Sequence, residues 1–342
     1  MRPILIEVGG FTLPSYYTLL TVGFLAAVYV AWREAPKKGI DPEDILDMAL
    51  YALIAGLLGA RLLHVFADGY FMDYVHLCTD PLQVDVPSFI HVRCATDADC
   101  VTADAGALCD PEGGRCHPAR DCFAALKFWH GGLAFLGGFL GATLVCAWFL
   151  RRRKIPFLPV ADLGSFGVPL GLAVGRLGCF LSGCCYGQPT DLPVGVRFGG
   201  FVTRAGAELT CPPNYDLLPD TPLGPLCAFG RPAFLDHAEH GLLELGAQYS
   251  LAVHPTQLYE AAFGFALFAY FYGWRRTRIR FAGQGIWEFC VAYPIGRFAI
   301  EMVRADDRGL WFGDALSTSQ LIAVPVVGYA LWRLARDRRE AI

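Results

Sequence analysis

Arg297, Glu301 and Arg304 fall at i, i+4 and i+7 in the stretch YPIGRFAIEMVRADD, a spacing that puts all three on one face of a helix. A charge at the bilayer centre costs about 2.5–3.5 kcal/mol on insertion scales, so such a stripe in an apolar run belongs against a cavity or another helix. The plainer alternative is a structural ion-pair ladder. Arg176 lies in GRLGCFLSGCCYG, residues 175–187, among the small residues Gly171, Gly175, Gly178, Ser182 and Gly183. Small residues let a helix or a headgroup approach the backbone, and arginine offers a planar fork of donors that suits phosphate; the alternative is a side chain snorkelling to the interface. HPTQLYE, residues 254–260, places His254 before a proline that suits a helix start and Glu260 about one turn inside the following apolar run. FWHGGLAFLGGFLGA, residues 128–142, carries two Gly-Gly pairs and His130. So many glycines in a helix predict re-entrant backbone or very close packing, and His130 titrates near neutral pH.

These residues need apolar elements to hold them, and the composition supplies such elements. Of 342 residues 54% are hydrophobic and 18% charged, against about 25% charged in ordinary soluble domains, and the mean hydropathy is +0.40. About 20 mostly apolar residues cross a bilayer core. Seven stretches qualify as candidates, roughly 14–32, 45–66, 132–150, 158–180, 255–273, 284–303 and 315–333, which predicts an all-α, polytopic membrane protein with about seven transmembrane helices. The chain reads as one domain over 1–342, with extracytoplasmic insertions at about 67–129 and 188–253. The net charge of −4, with no separate basic domain, excludes a nucleic-acid partner. The N-terminus has no charged region followed by a cleavage site, so the first span is expected to stay.

Basic residues orient the spans. Arg33, Lys37 and Lys38 follow the first, Arg151 to Lys154 the third, Arg275, Arg276, Arg278 and Arg280 the fifth, and Arg333, Arg336, Arg338 and Arg339 the seventh. Those loops are cytoplasmic by the positive-inside rule, which places the N-terminus and both long loops outside and the C-terminus inside. Cysteines agree. Six of the 13 (Cys78, Cys94, Cys100, Cys109, Cys116 and Cys122) fall in the first long loop, and Cys211 and Cys227 in the second. Even counts on an oxidising side predict disulfides, and six cysteines allow 15 pairings. A metal site is disfavoured by the lack of a CxxC pair.

In this topology Arg176, the Arg297–Glu301–Arg304 stripe, HPTQLYE and His130 all map to the outer leaflet, with Arg61 and Tyr17 near the same side. The convergence predicts an intramembrane, outward-opening polar site for a phosphate-bearing lipid.

The order GARLLHV, GGLAFLGG, GRLGCFLSGCCYG, HPTQLYE and GRFAIEMVR resembles the prolipoprotein diacylglyceryl transferase family of the bacterial cytoplasmic (inner) membrane, and the likeness covers all seven spans. It implies transfer of a diacylglyceryl group from phosphatidylglycerol to the lipobox cysteine thiol of a preprolipoprotein signal peptide, giving a thioether and glycerol 1-phosphate. The implied partners are those two substrates and the bilayer, with no cofactor and no metal. By the resemblance Arg176 and Arg297 hold the phosphate, Glu301 orients Arg297, Tyr17 contacts substrate, and Arg61, Gly187, His254, Gln257, Tyr259, Glu260 and Arg304 shape the substrate site.

The chain departs from the family pattern at Leu136, where a histidine is usual, and at Cys179, Ser182 and Cys184, where Asn, Asn and Glu are usual. His130, His254 and Glu301 are then the candidates for proton acceptor, beside a route in which the arginines alone lower the substrate thiol's pKa. The cysteines have three readings: packed thiols, a disulfide of Cys184 with Cys179 or Cys185, or a metal or redox role. Two rivals to the transferase are a non-catalytic lipid- or lipoprotein-binding paralogue and a membrane thiol oxidoreductase built on Cys184 and Cys185.

Overall fold

The computed structural model describes residues 4–8, 11–67, 69–84, 94–102, 106–110, 115–127, 132–206, 211, 215–218, 221–305, 310–311 and 316–340. A hairpin of β1 (Ile4–Val8) and β2 (Phe11–Pro14) leads into α1 (Ser15–Glu34) and α2 (Pro42–Ala67). A 3₁₀ turn, Ala35–Lys38, and Gly39 at φ 69° end α1, the left-handed stop that glycine supplies without a Cβ clash. The first long loop holds α3 (Phe71–Thr79), α4 (Asp97–Thr102) and the hairpin β3 (Leu108–Asp110) with β4 (Arg115–His117). Then come α5 (Phe135–Arg153) and α6 (Phe157–Ser182). The second long loop folds as an antiparallel sheet of β5 (Gly200–Arg204), β6 (Asp216–Leu218) and β7 (Leu226–Gly230), in the order β5-β7-β6, with α7 (Pro232–Glu239). The chain finishes with α8 (Thr256–Phe268), continued by a π-helical segment Ala269–Arg275, then α9 (Gln284–Glu301), the hairpin β8 (Leu310–Trp311) with β9 (Leu316–Ser317), and α10 (Thr318–Glu340).

A long helix occupies each of the seven apolar ranges, but among the described residues only three are long and apolar enough to cross a membrane by themselves: Ser15–Lys38, Pro42–Ala67 and Phe157–Ser182. The others fall short for physical reasons. α9 carries Glu288, Arg297 and Glu301 in 18 residues, and α8 changes to π geometry after 13. Large apolar side chains such as Leu25, Leu58, Phe139, Leu144 and Val324 stand exposed on the helix surfaces, as expected where lipid rather than water is the solvent.

One apolar core, including Val30, Ile45, Phe149, Leu163, Phe166, Phe271 and Phe289, joins the helices at the end that carries the basic loops. A second core of Val202, Leu226, Ala228, Phe234, Ala238 and Leu243 lies wholly inside the second long loop. The packing of α2 on α5 answers the glycine question. A Cβ on Gly59 or Gly137 would run into the other's backbone carbonyl, so these glycines serve close helix approach. The first loop's cysteines pair as Cys78–Cys122, Cys94–Cys109 and Cys100–Cys116, and the second loop's as Cys211–Cys227.

Candidate active site

Three helices build the site. α6 packs against both α8 and α9. Gly264 of α8 sits against Ala173 and Pro169 of α6, and Gly296 of α9 leaves room for the Phe263 ring of α8. Asp162, fully buried in the first turns of α6, accepts the Gly283 and Ile286 amides at 2.9 and 3.0 Å. It satisfies donors at the N-terminus of α9 and so fixes where that helix starts relative to α6.

At the other end of these helices the charged residues meet. Glu260 Oε2 lies 2.6 Å from Arg176 Nε as an ion pair, and Glu260 Oε1 pairs with Arg304 Nη1 at 2.5 Å and lies 3.6 Å from Arg297 Nη1. Arg297 Nη1 pairs with Glu301 Oε2 at 2.5 Å, and Arg304 Nε stands 3.9 Å from the same oxygen. Ser319, on α10, donates to Glu301 Oε1 at 2.8 Å. The side chains of Arg297, Arg304, Glu260 and Glu301 are all 10% exposed or less, that of Arg176 20%. Among the described residues, three guanidiniums and two carboxylates meet in this buried place. A cavity of about 10 Å³ is lined by Arg176, Glu260 and Arg297 and walled by Leu172, Phe263 and Tyr293.

The segment after α6 closes the site. Gly183, at φ 82°, turns the chain. Thr256 Oγ1 then donates to the Cys185 carbonyl at 2.8 Å and Gln257 Nε2 to the Cys184 carbonyl at 2.6 Å. Gly187 donates its amide to the His254 carbonyl at 2.9 Å and forms a β-bridge with Arg304. A Cβ at Gly187 would strike the Val303 carbonyl, His254 and Thr256. His254 Nδ1 lies 3.2 Å from the Tyr259 hydroxyl. HPTQLYE therefore has two tasks: Thr256 and Gln257 hold the loop, and Glu260 gathers the arginines.

Cys179, Cys184 and Cys185 are free thiols gathered beside Arg176; the disulfide reading of Cys184 is not what the structure adopts. Hydrogen bonds with Cys179 and Cys184, backed by the Arg176 and Arg304 guanidiniums, hold the Cys185 thiol below the ordinary range, while hydrogen bonding with Cys179 and Cys185 pushes Cys184 up.

Arg61 stands elsewhere. Its guanidinium donates to the Ala124, Ala125 and Gly132 carbonyls at 2.6, 2.8 and 3.0 Å and lies over the Tyr74 ring, tying α2 to the first long loop. It also lines an apolar groove of about 380 Å³ with Ile54, Leu58 and Leu62. Tyr17 is exposed and packs edge-on against Tyr16. It is Tyr16 that touches α6, with its backbone against Gly178. His130 lies outside the described residues; Leu136, where the family pattern has histidine, is an exposed residue in the first turn of α5. Sequence reasoning missed Tyr16, Ser319 and Asp162. For Asp162 the signal was there, an acid inside an apolar run as telling as Arg176. For Ser319 no sequence signal exists.

A helical, membrane-type scaffold with a buried arginine–glutamate cluster is a suitable class for handling an anionic, lipid-borne group. A family model described as prolipoprotein diacylglyceryl transferase matches residues 3–86 and 117–336, and the chain belongs to that family. The match leaves out 87–116, the heart of the disulfide-rich loop, and runs through 188–253. Among curated relatives, phosphatidylglycerol–prolipoprotein diacylglyceryl transferases are 33% identical in Xanthomonas campestris pv. campestris strain B100 (93% of this chain, 86% of the relative) and 30% in Paraburkholderia xenovorans (99% and 95%). The one in Clostridium tetani is 25% identical over 99% of this chain and the whole relative.

Proposed function

We propose that this protein transfers the diacylglyceryl group of phosphatidylglycerol to the lipobox cysteine thiol of preprolipoproteins. The thiol sulfur bonds to the glyceryl carbon, the bond from that carbon to the phosphate oxygen breaks, and glycerol phosphate leaves with the electron pair. The thiol proton passes to solvent or to a nearby base. The observation that carries the reading is the buried cluster of Arg176, Arg297 and Arg304 around Glu260 and Glu301, in a chain of this family. A thiol has a pKa of about 8.5, and preorganised guanidiniums favour both its thiolate and the departing phosphate. In this reading Arg176 presents its Nη fork to the phosphate, Glu260 and Glu301 orient the guanidiniums, and the arginine field stands in for the histidine that Leu136 replaces. Tyr17, His254, Gln257, Tyr259 and Gly187 shape the substrate site.

The protein works as one seven-span domain, with the N-terminus and both cysteine-bearing loops outside the cytoplasmic membrane and the C-terminus within. The alternation of basic loops, the seven long helices and the disulfides in both long loops support that arrangement. The test is complementation of a transferase-depleted bacterium, with lipoprotein lipidation read by mass spectrometry. Restored diacylglyceryl modification is expected; a stably inserted chain that restores none would point to a non-catalytic paralogue.

A further inference from the structure

The Cys179, Cys184 and Cys185 sulfurs all lie within 4.8 Å of one another. The backbone brings them together. Gly183 ends α6 in the left-handed region, with its amide on the Cys179 and Phe180 carbonyls at 2.9 and 3.2 Å, and the Cys184 amide returns to the Cys179 carbonyl at 3.2 Å. The chain thus doubles back over Cys179. Cys185 itself sits at φ 62°, a conformation that residues with a Cβ adopt rarely and at a cost. The Thr256 and Gln257 side chains hold the carbonyls of both loop cysteines. Three sulfurs around a tetrahedral or trigonal zinc-type ion, at a metal–sulfur distance of about 2.3 Å, stand about 4 Å apart, a spacing inside the 4.8 Å that the three sulfurs keep. Thiolate ligands select soft ions, and Arg176 and Arg304 beside the cluster offset the negative charge that three thiolates around a divalent ion leave.

We infer that Cys179, Cys184 and Cys185 form a three-thiolate site for a thiophilic d¹⁰ cation such as zinc(II), with one coordination position open. Binding is a coordination step: three S–H protons go to solvent and three S–metal bonds form, with no change of oxidation state. The bound ion pins the end of α6 to the segment 183–187, which bridges to Arg304. This does not depend on the transferase reading.

The test uses the full-length protein, purified in detergent without reductant or chelator and titrated with Cd²⁺. The expected result is an ultraviolet thiolate-to-cadmium charge-transfer band that saturates at one ion per chain and is suppressed by competing Zn²⁺. Cys185→Ser should weaken binding at least tenfold. Zn²⁺ should also slow alkylation of Cys184 and Cys185 at least tenfold while leaving Cys146 and Cys290, the other free cysteines, unchanged; that comparison needs no variant. No band with all five alkylation rates unaltered would overturn the site, and so would recovery of Cys184 as a disulfide with Cys179 or Cys185.

Discussion

Arg176 and Arg297 are held differently, and their variants should differ accordingly. Arg297 is flanked by Glu301 one turn along its own helix and by Glu260 from α8, and is nearly buried. Arg176 is more open and meets Glu260 through Nε at 2.6 Å. Losing one charge-assisted donor at a preorganised site costs about 3 kcal/mol, on the order of a hundredfold in rate. Arg176→Ala should therefore lose about that much turnover with the fold intact. Arg297→Ala should lose both activity and stability, because the buried Glu301 loses its closest cation. Arg176→Lys keeps the charge but not the fork and should fall between wild type and alanine. Initial rates beside thermal unfolding in detergent check all three; equal stability loss in Arg176→Ala and Arg297→Ala would contradict the distinction. The types and spacing of these residues were legible in the sequence because charge inside an apolar run is rare. Their hub was not. Nothing in the spacing of HPTQLYE says that Glu260, rather than Glu301, gathers Arg176 and Arg304, since that depends on how α8 meets α6 and α9 across the fold.

At the scale of elements, glycine sets the helix contacts. Gly59 and Gly137 each meet the other's backbone, whereas a Cβ on Gly56 would find ordinary contact at 3.6 Å from the Gly138 carbonyl. Gly59→Ala or Gly137→Ala should cost about 1–3 kcal/mol through overpacking, and Gly56→Ala should be close to neutral. Unfolding midpoints of the three variants check this, and similar midpoints for all would remove the close-packing account. The Gly-Gly pairs signalled a backbone approach in the sequence; that α2 is the partner of α5 came only with the fold. The second long loop gave no such signal, and its own core of Val202, Leu226 and Phe234 shows how short strands separated by turns hide a packed unit. There α7 buries His237, whose Nδ1 accepts the Leu251 amide at 3.2 Å. Burial holds this imidazole below its ordinary value, with Asp236 opposing and His240 adding. A depressed folded-state pKa means that the unfolded chain binds the proton more readily. The contribution is intact above the unfolded value of about 6.5 and is lost as pH falls through the lower folded value. Protection factors of the β5 and β7 amides, each rate taken relative to the intrinsic rate at that pH, should therefore fall between pH 7.5 and 5, and His237→Gln should flatten that dependence; an unchanged slope in the variant would assign it to other groups.

Across the molecule, the seven candidate ranges all became long helices, yet among the described residues only three are long and apolar enough to qualify as spans alone. The shortfall has the same cause as the site. α9 is polar because it carries the arginine–glutamate stripe, and α10 because it ends in Arg333, Arg336, Arg338 and Arg339. Such helices enter a membrane by packing on more apolar neighbours, which hydropathy does not register. The basic loops and the disulfides make one demand on topology. Reporter fusions at about residue 105 and about residue 225 should report the outside, and a C-terminal fusion the cytoplasm. Either cysteine-bearing loop found inside would break the common placement of the site residues at the outer leaflet.

Diacylglyceryl transfer by this protein can be measured in vitro. Purified protein in detergent is mixed with phosphatidylglycerol and a synthetic lipobox peptide, and both the peptide mass and the released glycerol phosphate are followed. The expected result is a diacylglyceryl mass gain on the cysteine thiol, one glycerol phosphate per thioether, and a rate about a hundredfold lower for Arg176→Ala. A folded wild-type protein that leaves the peptide unmodified, or an Arg176→Ala variant that modifies it at the wild-type rate, would contradict it.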